Sequence, residues 1–249
     1  MHNVTRNPGE IHIYRDASAV SRALADIFVE ISQTASADRG RFSVALSGGN
    51  TPRAAYELLA ESPACDDVCW SDTYVYFGDE RCVPPDDSQS NYHMAQETLL
   101  SKVPLPPKNV HRMRGEVDPK QAAEEYARVL VDDLGPTPQL DLVMLGMGPD
   151  GHTASLFPGN NPETDSDKLV RAVYAETQQM WRITLTPKVI NAARNVVFAA
   201  EGATKAGTLA AVREGPYNPL QYPSQIVSPT NGRLIWLVDE SAAGQLSKI

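Results

Sequence analysis

The chain is short of almost everything that marks an exported, membrane-bound or nucleic-acid-binding protein. It has three cysteines in 249 residues, Cys65, Cys69 and Cys82, an odd number that builds no disulfide framework. Cys65 and Cys69 have no second close pair to complete a metal site, and His93 is the only histidine near them in sequence. Reduced thiols in or near the core are expected instead. The longest apolar runs are strand-length, so no segment can span a bilayer and no membrane partner is expected. The opening MHNVTRNPGEIHIYR lacks the apolar stretch of a secretory leader, which points to a cytoplasmic protein. Cations are scarce too: 22 Lys and Arg stand against 31 acids, for a net charge of −9. That balance disfavours nucleic acid, which would want a basic face. An anionic ligand would need positive potential gathered locally, from a few cations and helix N-termini, against an unfavourable overall field.

What is present fits a globular α/β protein. Hydrophobic residues make up 42% and charged residues 21%, and 249 residues bury a sizeable core. Apolar periodicity predicts a strand at Ile11–Tyr14, a helix from about Ala17 to Ala35 and a strand at Phe42–Leu46. Thr51 is expected to cap the next helix, with Pro52 at its first position and Arg53–Ala60 as its body. A strand at Tyr74–Phe77 then leads through a polar loop to a helix from Ser90-Asn91 to about Leu100. The remaining expectations are a short strand at His111–Met113, a helix at Pro119–Leu134 and a buried strand at Leu142–Leu145. After these come strands of a less regular insert at Leu169–Ala175 and Arg182–Leu185. A helix at Pro187–Ala193, a strand at Asn195–Ala200, a helix at Thr204–Val212, a strand at Leu234–Val238 and a short terminal helix complete the chain. With no linker or repeat, this alternation predicts a single domain, 1–249, built on a doubly wound, mostly parallel sheet flanked by helices.

Three turns stand out, after Leu46, Phe77 and Leu145, and all fall on the carboxyl edge of such a sheet, where ligands bind. In LDLVMLGMGPDGHTASLFPG, Leu140–Gly159, a strand breaks into glycines and releases Asp150 and His152, an acid and an imidazole two residues apart. They are the expected catalytic pair, with His152 as general base and Asp150 orienting it. Gly146 to Gly151 also satisfies G-x-G-x-x-G, but Pro149 inside the turn and the lack of a strand-ending acid about twenty residues on weigh against a dinucleotide. Ser47-Gly48-Gly49 resembles a nucleophile elbow, yet no histidine follows His152 to serve it. It reads better as a glycine-hinged anion cradle in which Gly48, Gly49 and Thr51 offer donors. The two glycines alone could also simply turn the chain. Arg81, which in isolation could pair with a surface carboxylate, becomes a candidate phosphate fork beside those loops. Arg182 and Lys205 are plausible second anion contacts.

Taken together, Ser47-Gly-Gly-Asn-Thr-Pro52, Gly78-Asp-Glu-Arg-Cys-Val-Pro84 with Ser90-Asn91, and Leu145-Gly-Met-Gly-Pro-Asp-Gly-His-Thr-Ala-Ser-Leu-Phe-Pro158 resemble the 6-phosphogluconolactonases. The resemblance runs from about residue 10 to 245. It implies a fold shared with glucosamine-6-phosphate deaminases and ribose-5-phosphate isomerases, and a carboxylic ester hydrolase that opens 6-phosphoglucono-δ-lactone without metal or cofactor. It places Ser47, Gly48, Gly49, Thr51, Asp79, Arg81, Asn91, Gly148, Gly151, Arg182 and Lys205 around a sugar-phosphate lactone, in a monomer or small homo-oligomer. The rival deaminases typically carry Asp-Glu-Tyr where this chain has Asp79-Glu80-Arg81. They also have an acid where it has Leu156-Phe157-Pro158. A catalytically silent sugar-phosphate sensor is the other alternative; such a protein usually needs an output module, and these 249 residues show no helix-turn-helix or basic segment that would suggest one. Asn50, where serine or threonine is common, and Cys82 are small departures.

Overall fold

The computed structural model describes residues 8–160 and 167–247, so His2 and the first part of the N-terminal stretch lie outside the described residues. The chain opens with β1 (Glu10–Tyr14), α1 (Ala17–Arg39), β2 (Phe42–Leu46), α2 (Asn50–Leu59) and the short α3 (Ala64–Asp67). It continues with β3 (Thr73–Phe77), β4 (Asp79–Arg81), α4 (Asn91–Ala95), α5 (Pro119–Leu134) and β5 (Leu142–Gly146). Then follow β6 (Val170–Ala175), β7 (Met180–Leu185), α6 (Pro187–Ala192), β8 (Asn195–Ala200), α7 (Ala206–Glu214), β9 (Arg233–Asp239) and α8 (Glu240–Ala243).

Six strands form a parallel sheet in the order β1-β9-β8-β5-β2-β3. Apart from the largely exposed edge strand β1, both faces are buried, and side chains alternate between two cores as the two-residue period requires. Val44 and Leu46 of β2, Leu142 and Met144 of β5 and Val197 of β8 face one core with α1 and α2. Ala45, Val143, Leu145 and Phe198 face the other, against α5, α6 and α7. The sheet is therefore doubly wound, with helices on each side, as the sequence pattern predicts. Where hydrogen-bond chemistry is available, it sets the helix starts. The Asp16 side chain accepts the Ala19 N–H to begin α1, and Asp118 accepts those of Lys120 and Gln121 to begin α5.

From β2 the chain winds to β3 on one side, whereas β5, β8 and β9 extend the sheet on the other. The winding thus reverses at the β2–β5 seam, where such sheets open a ligand crevice. That seam is also the shortest ladder of the sheet, pairing only Val44 with Leu142 and Ala45 with Val143. A second, antiparallel sheet, β4-β7-β6, stands beside the crevice and sets Arg81 opposite Arg182.

Four expectations need correction. Thr51 does not cap α2: the helix starts at Asn50 behind Gly49, with no side-chain cap. Residues 111–113 are not a strand. Only Val110 bridges Val75, and the Tyr126 hydroxyl sits where the ladder would continue, accepting the Phe77 N–H and donating to the His111 carbonyl. The helix from residue 91 keeps α geometry only to Ala95 and widens to a π turn at Gln96–Leu100. Asp79–Arg81 forms a strand rather than an irregular loop because β7 pairs with it.

Candidate active site

The three glycine-bearing turns meet around one cavity of about 370 Å³ at the switch point. Ser47, Gly48, Gly49 and Thr51 line it from the end of β2, Asp79, Arg81 and Asn91 from beyond β3, and Gly148 and His152 from beyond β5. Arg182 enters from β7, and Lys205 from the start of α7. Gly151 is not among the lining residues and lies against the Tyr222 ring instead. Asp150 meets the cavity only through His152.

The strand-to-loop break after β5 builds the acid–imidazole pair. His152 Nδ1 lies 2.6 Å from Asp150 Oδ1, which also accepts the His152 backbone N–H at 3.1 Å. A carboxylate can only accept, so Nδ1 carries the proton and Nε2 is left as the free acceptor. The ring is half-buried and rests on Phe157, 5.2 Å between centroids. The hydrogen bond from His152 holds the Asp150 carboxyl below its usual range, against partial burial that would raise it. Beneath the pair, Gly148 leaves no room for a side chain: a Cβ there would stand 2.6 Å from Asp150 Oδ1 and closer still to the imidazole. The N–H groups of Gly148 and Gly151 are spent inside the loop, on the carbonyls of His152 and Gly148.

The opposite wall is rich in unmet polar atoms, donors for the most part. The side chains of Ser47 and Asn91 are buried, yet Ser47 Oγ and Asn91 Oδ1 have no partner. Arg81 Nε and Arg182 Nε are likewise buried and unpartnered. These are four of the eight such atoms among the described residues, concentrated in one cavity. Buried polar atoms are rarely left unpaired, so the cluster points to a missing ligand. At the start of α2 the backbone N–H groups of Gly48, Gly49 and Thr51 find no acceptor among the described residues, the arrangement that binds anions at helix N-termini. Ser47 itself is held by the Tyr56 hydroxyl, which accepts its N–H and donates to its carbonyl.

Arg81 and Arg182 face each other across an antiparallel pair, a destabilising placement for like charges unless an anion joins them. Burial first, and Arg81 second, lower the pKa of Arg182, while Asp79 and Glu80 oppose the shift. Burial also lowers that of Lys205, opposed by Glu201 and Asp239. Arg81 is steadied by the Gln89 carbonyl at 2.5 Å and Arg182 by Gln178 at a long 3.4 Å. Behind them, Glu80 is 2% exposed and accepts the N–H groups of Arg81, Asn91 and Tyr92 and the Ser90 hydroxyl. It thereby ties β4 to the N-terminus of α4, and burial pushes its carboxyl up. Asp79 accepts from Asn91 and from Ser155 Oγ, at 2.7 Å for the latter, bracing the site loop against the second sheet.

Sequence reasoning passed over Ser155, Gln178 and Glu201, which also line the cavity. Glu201 had a findable signal, since it directly follows β8 on the same carboxyl edge. The other two depend on the pairing of the second sheet. The thiols are free, Cys65 and Cys82 half-buried and Cys69 exposed rather than near the core. Among the described residues no three His, Cys, Asp or Glu side chains gather as a metal site, and no helix is long and apolar enough to cross a membrane.

Known proteins share this architecture. A 6-phosphogluconolactonase of Synechocystis is 39% identical over 232 residues, covering 91% of this chain and 93% of its own. The structure of a 6-phosphogluconolactonase from Trypanosoma cruzi superposes with a TM-score of 0.88 at 28% identity, over 99% of this chain and 100% of that one. A monomeric glucosamine-6-phosphate deaminase shares the fold, with a TM-score of 0.81 over 95% of this chain and 99% of its own, at only 17% identity. The profile of the family described as glucosamine-6-phosphate isomerases/6-phosphogluconolactonase matches residues 15–236. With the sheet, the crevice and nearly the whole length in common, the chain belongs to the glucosamine-6-phosphate isomerase/6-phosphogluconolactonase family.

Proposed function

We propose that the protein hydrolyses 6-phosphoglucono-δ-lactone to 6-phosphogluconate, with residues 1–249 acting as one catalytic domain. The observation that carries this reading is the pairing, in one cavity, of a carboxylate-fixed imidazole with a wall of unpartnered donors and cations. A δ-lactone is an activated ester, so a positioned water and a proton acceptor suffice. His152 Nε2 takes a proton from water as the oxygen attacks C1, and Asp150 stabilises the imidazolium that forms. The carbonyl π electrons move to oxygen. As the tetrahedral intermediate collapses, the C1–ring oxygen bond breaks and His152 returns the proton to the ring oxygen.

Two anionic centres then need partners, the 6-phosphate and the developing oxyanion. Because the Gly148 and Gly151 N–H groups already have acceptors, the free donors of the Ser47–Thr51 turn, with Arg81, Arg182 and Lys205, divide between them. Curated relatives named 6-phosphogluconolactonase support the substrate class. The presence of Arg81 and of Leu156-Phe157-Pro158, in place of the residues typical of the deaminases, favours the lactonase over amino-sugar chemistry.

The test is a proton-release assay on freshly generated lactone, corrected for spontaneous hydrolysis. Wild-type enzyme should turn over, and His152→Ala should lose at least about 10²-fold in kcat. Wild-type turnover in a folded His152→Ala variant removes the base, and no turnover in the wild type removes the activity.

A further inference from the structure

The Asp150–His152 pair is not held by burial. Its side chains are 48% and 29% exposed, and a partly solvated hydrogen bond of this kind holds its geometry weakly unless the backbone fixes it. The backbone here is fixed from outside the loop. Thr208, on the first turn of α7, donates its hydroxyl to the Pro149 carbonyl at 2.6 Å, and that carbonyl belongs to the peptide leading into Asp150. Ser224, 1% exposed, directs both its N–H and its hydroxyl at the Gly151 carbonyl, each at 2.9 Å. That carbonyl belongs to the peptide leading into His152, and the same hydroxyl lies 3.4 Å from the His152 carbonyl. Within the loop the Gly148 and Gly151 N–H groups and the Thr153 hydroxyl close the turn, the last onto the Gly146 carbonyl, but none of them engages the Pro149 or Gly151 carbonyl. The orientation of the two peptides that present the pair is thus set by side chains over 50 residues away in sequence.

We propose that Thr208 and Ser224 are positioning residues that hold Asp150 against His152 Nδ1, and so keep Nε2 the basic nitrogen. The proposal rests on the reading of His152 as the general base. Thr208 is three residues after Lys205, so the helix start that brings a cation to the cavity also aligns the base. Thr208→Val keeps the shape and loses the donor, Thr208→Ser keeps the donor, and Ser224→Ala loses one of two donors to the same oxygen.

The experiment measures kcat and KM against pH for the wild type and these variants, and follows the His152 imidazole by ¹⁵N NMR. Thr208→Val and Ser224→Ala should lower kcat by about 10- to 100-fold, the scale of an ångström of misplacement, with KM within about twofold. The acid limb of the kcat profile should move to lower pH, because an imidazolium that loses its carboxylate is easier to deprotonate. The Nδ1-protonated tautomer should lose population, and Thr208→Ser should restore both. A loss of kcat with limb and tautomer unmoved would mean plain destabilisation and overturn the proposal, as would wild-type behaviour throughout. The NMR readout needs no turnover. A tautomer shift in a protein without lactonase activity would therefore uphold the positioning role and sink only the assigned reaction.

Discussion

Gly148→Ala isolates the geometry of the acid–imidazole pair from its chemistry, because every reacting group is retained and only its position changes. A methyl on residue 148 would lie 2.6 Å from Asp150 Oδ1 and nearer still to His152 Nδ1 and Cε1. Ordinary contact needs about 3.5 Å, so the carboxylate must retreat by roughly 1 Å and the ring by more. Gly148 is not among the glycines with positive φ, so alanine suffers no backbone strain there and the whole effect falls on the pair. A displacement of this size costs about 10²-fold in rate, equivalent to about 2.7 kcal/mol of barrier. Proton release from fresh lactone should show that fall in kcat with KM little changed, and a thermal melt should stay within a few degrees of the wild type. A folded Gly148→Ala enzyme with kcat within about threefold of the wild type would refute the claim that this contact sets the base.

Other substitutions probe the walls. Arg182→Gln should raise KM by about tenfold or more with kcat largely kept, and should weaken the preference for phosphorylated over plain gluconolactone. Because it removes one of two opposed arginines, it should not lower the melting temperature of the unliganded protein. Glu80→Gln leaves at least one of the N–H groups around it facing an amide donor, at about 1–3 kcal/mol. The melt should drop by about 2–4 °C per kcal/mol, and an unchanged Tm would contradict the role given to that carboxylate. The hydrogen bond from Arg112 holds the Glu116 carboxyl well below the usual carboxylate range, at about 2. A depressed acid stabilises above its unfolded pKa and loses that contribution as pH falls through the folded one. The Arg112→Gln variant should therefore show a shallower stability loss between about pH 4.5 and 2, as followed by urea titration. Solvent screening at this partly exposed pair keeps the effect small.

The sheet was legible because buried parallel strands are unbroken apolar runs. Phe42–Leu46 and Leu142–Leu145 could hardly sit anywhere else, and glycine turns after them announce the crevice. His152 was legible for the same local reason, an imidazole and an acid released together from a strand end. What was not legible depends on pairing at a distance. No local pattern shows that Asp79–Arg81 will form a strand, since β7 arrives a hundred residues later, and so the opposition of Arg81 to Arg182 was invisible. Thr51 misled because its hydroxyl makes it a good cap by type, whereas Gly49 takes that place and leaves the N–H groups bare. His111–Met113 misled because a single hydroxyl, that of Tyr126, replaces a ladder. Thr208 and Ser224 carry no signal of their own in sequence, because they act through carbonyls of a loop that precedes them by more than fifty residues.

The brevity of the β2–β5 ladder gives the crevice a mechanical side. Two residue pairs form the ladder between the halves of the sheet, and the Asp141–Ser43 hydrogen bonds reinforce only its end away from the crevice. The lining of the cavity is carried by both halves. An occupant gripping the Ser47–Thr51 turn on one bank and the His152 loop on the other becomes an extra stitch across that line. Amide hydrogen exchange along β2 and β5 should therefore slow when the crevice fills, more than exchange on the outlying β1.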